Sequence, residues 1–179
     1  MFTRLADKFY LTKGERAYGL GYVVVILLAA IVSIGVMAGL DAPYTLQLAP
    51  TTFLYWVGIS GGIGGGVALY FAQGWMGNRG LFGLARAVVG SIAVAIMAAI
   101  IVGTLTVPFE GTIYAPLELL SAFLAKPWLA VIWFAGMFGA HYLMLVLEEE
   151  RAFGVGRSAY RRATEQLSPL SRANLYHRD

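Results

Sequence analysis

The chain has 179 residues, of which 59% are hydrophobic and only 13% charged, with a mean hydropathy of +0.70 and a net charge of +3. A soluble domain carries about a quarter charged residues, so half that share excludes an ordinary water-soluble domain and points to one domain whose main solvent is lipid. The absence of cysteine excludes disulfides, thiolate metal sites and cysteine nucleophiles.

Residues 1–17 (MFTRLADKFYLTKGERA) place Phe2, Leu5 and Phe9 at helical spacing, with Arg4, Asp7 and Lys8 between them. This predicts an amphipathic segment suited to the headgroup layer, or else a short solvated tail. The first long apolar run, about 19–40, contains no charged residue before Asp41. At 1.5 Å per residue it covers about 30 Å, the thickness of a hydrocarbon core. It is too long and too late for a signal-peptide core and is read as a retained anchor. A turn follows at Asp41, Pro43 and Pro50.

A second span is predicted over about 52–73, edged by Tyr55 and Trp56 at one end and by Tyr70, Phe71 and Trp75 at the other, as expected of aromatic belts. A basic link with Arg79 and Arg86 leads to a third span over about 84–107, which Pro108 closes. The stretch 113–147 is too long for one span and is split at Lys126 and Pro127, because proline suits the first turn of a helix and breaks its interior. This gives a short interfacial helix over about 115–125, with Pro116 in its first turn, and a fourth span over about 128–147. Residues 148–179 form a basic tail in which Ser158 is expected to cap a short helix that ends before Pro169. Lipid headgroups, or an acidic partner, would suit its arginines.

The fold class is therefore all-α: a polytopic membrane protein with an N-terminal segment at 1–17, a four-helix membrane domain at 18–147 and a tail at 148–179. Lys and Arg number four before the first span, none in the first loop, two in the second, none in the third up to Pro116, and six in the tail. The alternation places both termini in the cytoplasm, in a bacterial-type inner membrane.

Gly58, Gly62 and Gly66 repeat every four residues in the second span, with Gly61 and Gly65 beside them. The third span carries Gly83, Ala87, Ser91, Ala95, Ala99 and Gly103 at the same spacing, and Gly35 with Gly39 and Gly136 with Ala140 make shorter versions. Such stripes, of the glycine-zipper kind, let helix backbones approach closely within one chain, between copies or against another subunit. A flat ligand such as a quinone or pigment is the other use of a glycine face. GGIGGG at 61–66 lies inside an apolar span with no preceding strand and is not a dinucleotide fingerprint.

His141 is the only histidine in a span; with only His177 besides, near the C-terminus, bis-histidine haem ligation is not expected of this chain alone. Its expected role is a polar contact to a hydroxyl or carbonyl of another helix. Glu110 and Glu118 read as solvated interface charges, since nothing in the sequence places them together. No metal-ligand spacing, nucleophile arrangement or phosphate loop accompanies them, so no catalytic residue, metal or cofactor is expected.

The expected function is a noncatalytic membrane subunit or assembly factor that packs its small-residue faces into a larger complex. Its partners would be the bilayer and other membrane subunits or copies of itself, with no nucleic acid. A small oligomeric channel or carrier is the alternative, and an enzyme using Glu110 or Glu118 as base on a lipid or quinone comes third.

Overall fold

The computed structural model describes residues 12–40 and 51–152. The headgroup-layer reading of residues 1–11, the first turn, the Ser158-capped helix and His177 lie outside the described residues. Within them the chain is helical without strand: α1 (Lys13–Leu40), α2 (Thr51–Ala72), a 3-10 turn (Gln73–Trp75), α3 (Gly80–Thr106), α4 (Glu110–Ala125) and α5 (Pro127–Ala152). Four of these helices, α1, α2, α3 and α5, are long and apolar enough to cross a membrane.

Several boundaries differ from the sequence reading, each for a local reason. α1 starts at Lys13, because Thr12 and Glu15 form a capping box: the Thr12 N–H donates to Glu15 Oε2 at 2.8 Å, and the Glu15 N–H to Thr12 Oγ1 at 3.2 Å. α5 continues past Leu147 to Ala152, so the Glu148–Arg151 stretch belongs to the helix and not to the tail. α4 starts at Glu110, which leaves Pro116 inside it rather than in its first turn. Proline there has no N–H for the Thr112 carbonyl. The break at Lys126 is where α4 ends, and Pro127 opens α5.

α1 packs against both α5 and α2, α2 against α3, and α4 folds back on α3. The start of α1, the end of α5 and the α2–α3 turn share one end of the bundle, here the termini end; the α3–α4 turn lies at the far end. The core is built mainly of small and medium side chains, among them Val25, Ala68, Leu69, Ala87, Val94, Met137 and Ala140, all fully buried. Large apolar side chains such as Leu27, Ile31, Tyr70, Phe71, Leu81 and Phe82 point outward, the arrangement expected where lipid replaces water as the solvent.

The tightest contacts occur at glycines. A Cβ on Gly61 would stand 2.5 Å from Ser33 Oγ and 2.8 Å from the Ala29 carbonyl oxygen, and one on Gly65 would strike the Ala29 methyl. On the other side of α2, a Cβ on Gly64 would be 2.9 Å from the Ala98 carbonyl oxygen of α3. Gly58, Gly62 and Gly66, the spaced set in the sequence, meet side chains first, Ile34 at 3.1 Å and Ile26 at 3.2 Å, with the Ile26 carbonyl oxygen no nearer to Gly62 than 3.6 Å.

The α3–α4 turn is short. Phe109 has φ 69° and ψ −64°, and the Glu110 N–H donates to the Pro108 carbonyl at 3.0 Å, a γ-turn of the rarer, strained form. Behind it Gly103 and Gly111 touch backbone to backbone, and Thr104 and Thr112 share a 2.9 Å hydroxyl hydrogen bond.

These contacts rank the glycines. Gly61→Ala is expected to lower stability by about 1–3 kcal/mol, since a backbone carbonyl cannot move aside as a side chain can. Gly58→Ala, facing only the Ile34 methyl, is expected to be neutral or to gain up to about 1 kcal/mol from helix propensity. Unfolding of both variants in the same detergent measures the difference, and an equal effect would contradict the assignment.

Candidate functional site

Two regions concentrate the polar chemistry. At the termini end, three consecutive glutamates of α5 each find a different partner. Glu150 accepts from the Gly14 N–H at 2.6 Å and from Thr12 Oγ1 at 2.9 Å; Glu149 pairs with Arg79 at 3.0 Å, and Glu148 with Arg151 at 3.3 Å. A carboxylate is disfavoured at the C-terminal end of its own helix, but Glu150 sits on the N-terminus of α1, where unpaired N–H groups and the helix dipole favour negative charge. The two ion pairs are exposed and contribute little. Tyr18 donates to Gln73 at 2.6 Å and ties α1 to the turn after α2.

His141 belongs to this end. It is buried, and its Nδ1 accepts from the Gly77 N–H at 3.0 Å. Its partner is thus a backbone donor in the α2–α3 turn, not the hydroxyl or carbonyl of another helix that the sequence suggested. Accepting at Nδ1 puts the proton of the neutral ring on Nε2. Gly77 has φ 76°, and a Cβ on it would lie 3.2 Å from the Met144 carbonyl, so both its conformation and the proximity of α5 call for glycine.

At the far end is a cavity of about 400 Å³, bounded by all five helices. Most of its wall is apolar, including Val32, Val36, Phe53, Val57, Leu119 and Phe123. Trp133, almost fully buried, bounds it on the α5 side and donates from Nε1 to the Ser91 carbonyl of α3 at 3.2 Å. Among the described residues, the polar lining is Ser33, Thr106, Glu110, Tyr114 and Glu118, with no Lys, Arg or His. Glu110, Tyr114 and Glu118 are exposed and follow one another at four-residue intervals along α4, so they share one side of that helix and give the cavity an acidic margin. The sequence reading kept the two carboxylates apart, because it began the helix at about 115 and left Glu110 outside it, whereas α4 starts at Glu110.

The α3 stripe divides among different duties. Gly83 abuts Asn78 in its own helix entry; Ala87 and Ser91 are fully buried, with Ser91 Oγ donating to the Ala87 carbonyl at 2.7 Å; Ala95 and Ala99 line the cavity; and Gly103 also lines it while meeting Gly111 of α4. Sequence reasoning missed the Thr12–Glu15–Glu150 set. Its readable signal was T-x-x-E before an apolar run; the docking of Glu150 has no local signal.

Among the described residues, no group of three or more His, Asp or Glu side chains is placed to hold a metal ion. The His141 contact yields a direct test: His141→Ala leaves the Gly77 N–H without its acceptor and is expected to lose about 1–3 kcal/mol. Amide exchange at Gly77 should rise at the same time, and unchanged protection there would contradict the hydrogen bond. Compared with known proteins, the chain matches no family model, no curated protein and no solved structure.

Proposed function

We propose that this chain is a noncatalytic membrane subunit or assembly factor, lying in a bacterial-type inner membrane with both termini cytoplasmic, and that it joins a larger complex through α4. The supporting observation is a row on that helix. Ile113, Leu117, Leu120 and Leu124 are 69%, 61%, 56% and 75% exposed and follow spacings of four, three and four, the pattern of a helix–helix seam. α4 has 16 residues, or about 24 Å, too short to span. We read it as an interfacial helix at the outer surface, where this row would be available to a partner. The small-residue contacts are largely taken up inside the chain, so association would use large side chains instead. The polar groups of the termini end, His141 and Glu148 to Glu150, are engaged in internal contacts.

Single cysteines at Leu117 or Leu124, in a chain with none of its own, are expected to cross-link in native membranes to one defined protein or to a second copy. Cysteines at lipid-facing Val24 or Leu27 are expected not to. Equal labelling at all four sites, or a lone monomer in mild detergent with no adduct, would overturn the reading. Orientation is tested separately. Reporter fusions at Asp179 and near Gln47 should give opposite readouts, with the C-terminus cytoplasmic, because inversion would carry the two most basic segments across the bilayer.

The cavity favours a second reading, a small oligomeric carrier or channel. Leu69, Met137 and Met144 fill the opposite half, so a carrier would have to part the helices there. Absence of uptake or conductance across a broad solute panel in liposomes would remove this reading.

A further inference from the structure

We infer that the far-end cavity is a binding site for an amphiphile with an apolar body and a cationic ammonium head, the body between α1, α3 and α4 and the head at the margin formed by Glu110, Tyr114 and Glu118. The inference goes beyond the association proposed above and does not depend on it. Three observations carry it. The first is size: the cavity opens to the surface beside α4 and measures about 400 Å³, within the range that holds small organic ligands.

The second observation is the division of the wall. Apolar side chains form the interior, and the polar groups that carry charge are confined to one side of one helix. A wholly apolar molecule would leave that margin unused, and a wholly polar one would be desolvated against Val32, Val36, Phe53 and Phe123 without hydrogen-bond partners.

The third is charge complementarity. Among the described residues, the ionisable side chains on the cavity are the carboxyl groups of Glu110 and Glu118 and the Tyr114 phenol, and none is basic. An anionic head would meet like charge, whereas an ammonium would meet two carboxylates and the Tyr114 ring, whose face also attracts cations. Glu110 and Glu118 stand about 12 Å apart along the helix axis, so the head has an acidic margin and not a single point at which to settle. The same chemistry could come from an aminophospholipid of the membrane or from a free cationic amphiphile.

The test uses the full chain in phosphatidylcholine nanodiscs, with Trp56, Trp75 and Trp128 replaced by phenylalanine so that Trp133 alone reports. Two probes quench it: 10-bromodecylammonium and the neutral 10-bromodecanol. The cation is expected to saturate quenching at a concentration at least tenfold below the alcohol. Glu110→Gln with Glu118→Gln should remove that advantage, and Val36→Phe should weaken both probes by filling the cavity. If the double variant fails to fold, added salt in the parent chain takes its place, weakening the cation and leaving the alcohol unchanged. Equal curves for the two probes, or a cation advantage that survives both the glutamine changes and salt, would overturn the charged head. Quenching untouched by Val36→Phe would overturn the cavity. Replacing part of the phosphatidylcholine by phosphatidylethanolamine then assigns the source. A shift of the cation curve to higher concentration marks the membrane lipid as occupant, and an unshifted curve marks a free amphiphile.

Discussion

The close approach of α2 to its two neighbours is the contact on which the rest of the bundle depends. Gly61 and Gly65 on one side and Gly64 on the other bring the α2 backbone against Ala29 and Ser33 of α1 and Ala98 of α3. In lipid there is little hydrophobic force between helices, so association comes from dispersion contacts and interhelical hydrogen bonds, and backbones that touch gain the most of both. With glycine, alanine and serine at the helix contacts, only a few long side chains, such as Leu69, Leu129, Met137 and Trp133, find room inside, and most of the others face outward. The apolar coat of the bundle is thus a consequence of its small-residue interior.

The same constraint shapes the two ends differently. At the termini end the helices converge enough for polar groups to close the structure: Glu150 covers the N-terminus of α1, His141 holds the Gly77 N–H, and Tyr18 reaches Gln73. Each of these bonds satisfies a group that would otherwise be stranded at a helix end or in a turn. At the far end α4 packs on α3 around the Gly103–Gly111 contact and leaves open space between itself, α3, α1 and α5. That space is the cavity, bounded on the α5 side by Trp133, whose indole donates to the Ser91 carbonyl.

Much of the architecture was legible because the period and length of the apolar runs are strong signals. The four long helices and the break at Pro127 follow from residue type alone, since a charged residue beside a proline interrupts any span. Helix ends were less legible. Thr12 with Glu15 extends α1 outward by a capping box, while Glu148 to Arg151 look like tail until the helix is seen to persist through them. Pro116 suggested a helix start, but the start is set by the turn at Phe109, six residues earlier than the proline's position implied. The glycine stripe was visible, yet which members make the closest contact depends on the crossing of two helices. Spacing favoured Gly58, Gly62 and Gly66; the geometry puts Gly61, Gly64 and Gly65 closest. The cavity was not legible at all, because its carboxylates and its apolar wall come from segments up to about a hundred residues apart, brought together only by the fold.

The central claim is that the small-residue stripe of α2 is used within one chain. Ile26→Cys combined with Gly62→Cys tests it most directly, because a Cβ at Gly62 meets the Ile26 side chain at 3.2 Å, the close contacts of Gly61, Gly64 and Gly65 are left intact, and the chain has no other cysteine. Mild oxidation in membranes should yield an intramolecular disulfide, seen as a shifted monomer band that disappears on reduction. A disulfide-linked dimer from the same pair, with the monomer left uncross-linked, would place the stripe between chains and contradict the account.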